Sequence, residues 1–214
     1  MACALFLSHY GDIMDQLDEL RNKAVELLLN VDIIRDCTYV SREDFEQGSL
    51  EYEDLDYQDI NMLFTIDDFT VLNLKGDKDN VEKLIINFNG IHGDDPENFD
   101  DLQFYREKYS DVLEKNNNVS LINIIPLRTN RKETFLNLFD RTEFNGIITF
   151  DYIIDTLFKS YILPVINIIK PEEVLVLDSM LKNSIKNAVN PDNIVDDVPI
   201  SLFDGISGYQ KDED

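Results

Sequence analysis

The chain has 214 residues and a formal net charge of −24, from 19 basic and 43 acidic side chains. With 43% apolar and 29% charged residues it is too apolar for a disordered chain, and it is long enough to bury a core without a disulfide or metal staple. So negative a surface repels phosphate backbones and anionic membranes, which argues against broad nucleic-acid affinity; it serves either solubility or the docking of a basic protein, a DNA-binding protein included.

Cys3 and Cys37 form neither a C-x-x-C nor a zinc pattern and read as reduced thiols of a cytoplasmic protein. The short apolar run Ala2–Leu7 has no basic residue before it, so no signal peptide is expected. The longest apolar stretch, 147–169, is interrupted by Asp151, Asp155, Lys159 and Pro164, so no membrane span is expected either.

From Tyr10 to about Asp36, apolar residues at Ile13, Leu17, Leu20, Val25, Leu28 and Ile33 follow helical spacing, with Asp15, Asp18, Glu19 and Lys23 on the polar face. Residues 41–62 are the most acidic part, with eight acidic side chains against Arg42. Ser41 and Asp44 resemble a capping box, and Phe45, Tyr52 and Tyr57 are interleaved with the acids. This segment reads as a solvated loop and short helix or, functionally, as an acidic-aromatic docking surface centred on Glu51, Glu53, Asp54 and Asp56.

Two strand-like runs follow, Phe69–Gly76 and Glu82–Gly90, and the turn residues between them suggest a hairpin. The run LIINF suits a strand buried on both faces. Residues 90–101 are a loop rich in Gly, Asp, Asn and Pro. A helix follows with Phe104, Tyr105, Tyr109 and Val112 inward, then a buried strand from Val119 to Arg128 that Pro126 is expected to end. A long helical segment over 148–169 is expected to bend or stop near Pro164. Strand Val174–Leu177, its following helix and a last strand over 193–203 complete the core. This alternation predicts an α/β three-layer sandwich with a mainly parallel central sheet flanked by helices. The expected division is a helical and acidic segment over 1–66, an α/β core over 67–207 and an acidic tail over 208–214.

The chain lacks G-x-G-x-x-G, P-loop, G-x-S-x-G, EF-hand and zinc patterns, so no cofactor or metal is assigned to it. Asp94, Asp95, Asp100 and Asp101 have the oxygen chemistry of hard-cation ligands without a recognised spacing. The loop Gly90-Ile91-His92-Gly93-Asp94-Asp95-Pro96 leaves the carboxyl end of a buried strand, where open α/β sheets bind ligands. It reads either as a ligand loop, with glycines admitting close approach and carboxylates able to orient water, or as an ordinary polar turn. Arg128, Arg131, Lys132 and Arg141 form a basic patch that holds a phosphate or pairs with nearby acids.

Asp95-Pro96 after the first buried strand, Leu121-Ile122-Asn123 in a later one, and Lys170-Pro171 before Val174–Leu177 together resemble the uracil-DNA glycosylase superfamily over about residues 80–200. The resemblance implies a base-binding site at the sheet's carboxyl edge, with Asp95 or Asp94 positioning water and Asn123 reading the base edge. Gly90, His92, Pro96, Arg128 and Asp197 would line that site. Where the family carries a His-Pro-Ser-type loop, this chain has Asp196-Asp197-Val198-Pro199-Ile200-Ser201. Carboxylates there remove a donor from the departing base and repel DNA, so the resemblance implies a catalytically degenerate member. The alternative is a non-enzymatic acidic interaction or DNA-mimic protein.

Overall fold

A computed structural model describes residues 2–30, 38–39, 64–91, 100–129, 150–185, 194–195 and 198–202. The strands are β1 (Thr38–Tyr39), β2 (Phe64–Ile66), β3 (Leu72–Lys75), β4 (Lys83–Ile91), β5 (Val119–Thr129), β6 (Glu173–Val176), β7 (Ile194–Val195) and β8 (Val198–Leu202). The helices are α1 (Ala2–Leu29), α2 (Asp101–Lys108), α3 (Ser110–Lys115), α4 (Phe150–Leu157), α5 (Leu163–Ile169) and α6 (Ser179–Ile185).

These strands make one sheet in the order β1-β2-β5-β4-β6-β8-β7, with β3 also paired to β5. The α/β class holds. The sheet, however, is mixed rather than mainly parallel. β5, β4, β6 and β8 run parallel, whereas β2 and β3 are antiparallel to β5 and β7 is antiparallel to β8. Phe64–Ile66, on the N-terminal side of the expected boundary at 67, is thus a strand of the sheet.

The expected hairpin between the runs 69–76 and 82–90 does not form. β3 pairs with the amino-terminal half of β5 (Leu72↔Leu121), and β4 pairs with β5 along its other edge (Ile85↔Leu121). β2 takes the carboxyl-terminal half of the first edge, with Ile66 opposite Leu127. The two short strands keep one register, so they are a single antiparallel strand interrupted at 67–71. Pro126 explains the interruption. Asp67 N donates to Pro126 O at 3.2 Å, but proline has no N–H to return the bond. Pro126 therefore breaks its neighbour and not its own strand, which continues to Thr129. On the other edge the register jumps from Asn89↔Ile125 to Gly90↔Arg128, so Pro126 sits in a bulge.

Side-chain alternation sorts the strands between two cores. Leu84, Ile86, Phe88, Ile122 and Ile124 face a cluster shared with α1, α4, α5 and α6, while Ile85, Val119, Leu121 and Leu175 face Tyr105, Tyr109 and Val112 of the 101–115 region. Helices thus cover both faces, and every residue of β5 is buried. The predicted inner stripe of α1 is observed at Leu17, Val25 and Leu28, with Ala24 beside it. The helix starts earlier than its apolar spacing suggests and ends at Leu29.

Phe150–Ile169 does not stop near Pro164. A π-helical turn over Phe158–Ile162 joins α4 to α5, and Leu163 N donates to Phe158 O five residues back. The wider turn lets the chain pass Pro164, whose ring nitrogen has no hydrogen to donate. By length and composition Tyr152–Ile169 is apolar enough to cross a membrane, with mean hydropathy 1.4. In this fold Ile153, Ile154, Leu157, Phe158, Ile162, Val165 and Ile166 are instead packed in the core.

Candidate functional site

The alternation that buries Leu84, Ile86 and Phe88 on one face puts Asn87 and Asn89 on the other, next to Ile85. Near the carboxyl ends of β4 and β5 the apolar core therefore gives way to a buried polar cluster. Asn87, Asn89, Asn123, Asp67 and Arg128 are all nearly inaccessible. Such groups persist in a core because they satisfy one another.

The chain of contacts starts at Lys108, whose Nζ donates to Asn87 Oδ1 at 2.8 Å; the Tyr109 hydroxyl donates to the same oxygen at 2.7 Å. Asn87 Nδ2 donates to Asn123 Oδ1 at 2.6 Å and to the backbone oxygen of Asn89 at 2.8 Å. Asn123 Nδ2 donates to Asp67 Oδ2 at 2.9 Å. Arg128 Nε donates to Asp67 Oδ1 at 3.0 Å. The Arg128 guanidinium also pairs with Asp68 at 3.3 Å and Asp101 at 2.7 Å, and it lies 5.6 Å from the centre of the Phe69 ring. Asp100 caps α2 by accepting from Gln103 N, which places Asp101 in the first turn facing Arg128.

Burial pushes the Asp67 carboxyl up to about 6, against the opposing pull of Arg128 and Asn123. Burial also works against charge on Arg128, yet Asp67, Asp101 and Asp68 outweigh it and hold the guanidinium's proton more tightly than usual. Burial raises the Tyr105 and Tyr109 hydroxyls well above their ordinary range, so both act as neutral donors. Gly90 has no room for a side chain: a Cβ there would lie 2.4 Å from Asp67 Oδ1 and 2.5 Å from Arg128 Cγ.

Of the sequence candidates, Gly90, Asn123 and Arg128 meet in this cluster. Asn123 is buried, its Oδ1 accepting from Asn87 and its Nδ2 donating to Asp67. Arg128 is held by three carboxylates, the pairing reading of the basic patch. His92, Asp94, Asp95, Pro96 and Asp197 lie outside the described residues, as do Glu51, Glu53, Asp54 and Asp56 and the patch residues Arg131, Lys132 and Arg141. Val198–Ser201 does not join the cluster. Ile200 is level with Val174, and Val174 with Leu84, so β8 begins near the amino-terminal edge of the sheet, while Gly90 and Arg128 pair near the carboxyl edge.

Asp67 has no local motif that marks it as a member, and the carboxylate chemistry of Asp101 points to a cation and not to Arg128. A signal does exist for Asn87 and Asn89: two amides two residues apart in an otherwise apolar strand must share a buried face.

No known family model matches the sequence, and no curated protein does.

Proposed function

We propose that this chain is an acidic binding module that docks a basic protein partner, on an α/β frame whose carboxyl-edge polar cluster is structural. The observation that carries this reading is the enclosure of Arg128. A rim that reads DNA needs cations free to meet phosphate. Here Asp67, Asp68 and Asp101 take up the guanidinium, and Asn123 is spent on Asp67 and Asn87. The net charge of −24 supplies long-range attraction for a basic surface, and the acidic-aromatic segment 43–59 combines charge with anchoring rings. The test is binding to core histones as a basic probe. Neutralising Glu51, Glu53, Asp54 and Asp56 together is expected to weaken it at least about tenfold, the usual scale for losing steering charges. Unchanged affinity would exclude that surface.

A second reading keeps the glycosylase-like comparison. It is favoured by the close approach of Gly90 to Asp67 and Arg128 at the carboxyl end of β4, and by the fully buried Thr129 hydroxyl, which has no hydrogen-bond partner among the described residues. In it, Asp95 or Asp94 orients water against a base-sugar bond. A base-release assay on strands containing uracil, hypoxanthine or xanthine decides it. Release that Asp95→Ala abolishes would establish the enzyme, and no release on any strand would end this reading.

A further inference from the structure

The hydrogen bonds that run from Lys108 to Asp67 all point one way. Lys108 Nζ donates to Asn87 Oδ1, Asn87 Nδ2 to Asn123 Oδ1, and Asn123 Nδ2 to Asp67 Oδ2. The two ends set this direction. An ammonium only donates and a carboxylate only accepts, so each amide between them has one permitted orientation.

A proton on Asp67 reverses one end. Arg128 decides which oxygen takes it. Arg128 Nε donates to Oδ1 at 3.0 Å and cannot accept, so the acid's hydrogen belongs on Oδ2, which faces Asn123. There it meets the Asn123 Nδ2 donor at 2.9 Å. Among the described residues the carboxyl group has no third hydrogen-bond partner to take that hydrogen instead. Two donors facing each other in a buried site are costly. Turning over the Asn123 amide presents its Oδ1 to the acid and its Nδ2 to Asn87. The same turn in Asn87 presents its Oδ1 to Asn123 and its Nδ2 to the Tyr109 hydroxyl, now 2.7 Å from Oδ1. Tyr109 can accept as well as donate, whereas Lys108 cannot. Asn87 then gives up Asn89 O, which the Tyr105 hydroxyl at 3.4 Å can serve.

We propose that Asp67 and these two amides form a proton switch: when Asp67 takes up a proton from solvent, Asn123 and Asn87 both turn over, and Lys108, an exposed cation of α2, loses its hold on the core. The charged and titratable groups around Asp67 are Asp68 on its own segment, Arg128 on β5, Asp101 and Tyr105 on α2, and Tyr161 in the π-helical turn, with Arg21 and Asp18 of α1 beside Tyr161. Arg128 keeps Asp68 and Asp101 when Asp67 is neutral, so it stays in place while the amides turn. Burial, which outweighs Arg128 and Asn123, brings the Asp67 titration to about 6, within reach of mild acidification.

The experiment is NMR on the full chain, labelled with ¹³C and ¹⁵N, at pH 7.5 and pH 5. At pH 7.5 the Asn87 side-chain NH₂ should show its strong nuclear Overhauser contacts to the Tyr105 ring; at pH 5 these should move to the Tyr109 ring, with the same midpoint as the Asp67 carboxyl carbon. Asp67→Asn copies the acid form, because its oxygen must face Arg128 and its NH₂ must face Asn123. That variant should show the Tyr109 contacts already at pH 7.5, and it decides the matter if the wild type does not stay folded at pH 5. Tyr105 contacts kept by the folded wild type at pH 5, or kept by Asp67→Asn at pH 7.5, would overturn the proposal.

Discussion

Gly90 and Asp67 stand so close that a Cβ on Gly90 would come within 2.4 Å of the Asp67 carboxylate. The contact joins the carboxyl end of β4 to the break between β2 and β3. Neither neighbour can yield cheaply, because Asp67 is held by Asn123 and Arg128, and Arg128 Cγ lies 2.5 Å away on the other side. Gly90→Ala is therefore expected to lower stability by about 1–3 kcal/mol, the usual cost of overpacking. Urea denaturation with an unchanged m-value checks this, and a midpoint equal to that of the wild type would show that the cluster adapts.

The Asp67–Arg128 pair is expected to behave as a unit. Asp67→Leu strands a buried guanidinium, and Arg128→Met strands a buried carboxylate, so each should cost about 3–5 kcal/mol. Asp68 and Asp101 still hold Arg128 when Asp67 is lost, which places Asp67→Leu at the lower end. The double variant should cost clearly less than the sum, with coupling read from a double-mutant cycle. Strict additivity would mean that the two groups do not depend on each other.

Asn123→Leu tests the scaffold role of that amide. The change leaves Asp67 Oδ2 and Asn87 Nδ2 each short of a partner. A loss of about 2–4 kcal/mol is expected, from the usual cost of buried unsatisfied groups. Histone binding by the folded fraction should be unchanged. A stable variant with altered binding would instead give Asn123 a direct role in recognition.

The pH dependence follows from the raised Asp67 value. Its carboxyl titrates near 6 in the folded protein, against an ordinary value of 3.8. The folded state thus holds an extra proton between these values. The resulting stability is fully present below pH 3.8 and is lost as pH rises through 6. Asp67→Asn removes this titration. The wild type should therefore lose stability relative to Asp67→Asn between about pH 4 and 6, with a constant difference above pH 7. A difference that is flat across that window, measured by thermal or urea unfolding, would contradict the burial of Asp67.

Much of the frame is legible in the sequence because it rests on local pattern. The spacing of Leu17, Val25 and Leu28 marks the inner face of α1, and the apolar runs mark β4 and β5. Tyr105, Tyr109 and Val112 are inward as their spacing indicates. Pairing is less legible, because turn residues at 76–80 are compatible with a hairpin that long-range register overrides. Pro126 and Pro164 show the same limit. Each removes a donor, yet a bulge absorbs one loss and a π-helical turn the other, and both depend on tertiary context. In the candidate site, Gly90 is legible from its place at the end of an apolar strand, Arg128 from the basic run that begins with it, and Asn123 through the family resemblance alone. Asp67 is not legible, because its role arises only when β2 and β3 line up on the edge of β5 and Pro126 breaks them at that point.

The most direct test of the docking account is the placement of the charge, not its amount. Affinity for core histones at low salt should fall when Glu51, Glu53, Asp54 and Asp56 are neutralised together. It should change little when four exposed helical acids, Asp15, Glu19, Asp111 and Glu114, are neutralised to give the same net charge. Equal weakening by the two sets, or none by the first, would contradict a defined acidic docking surface.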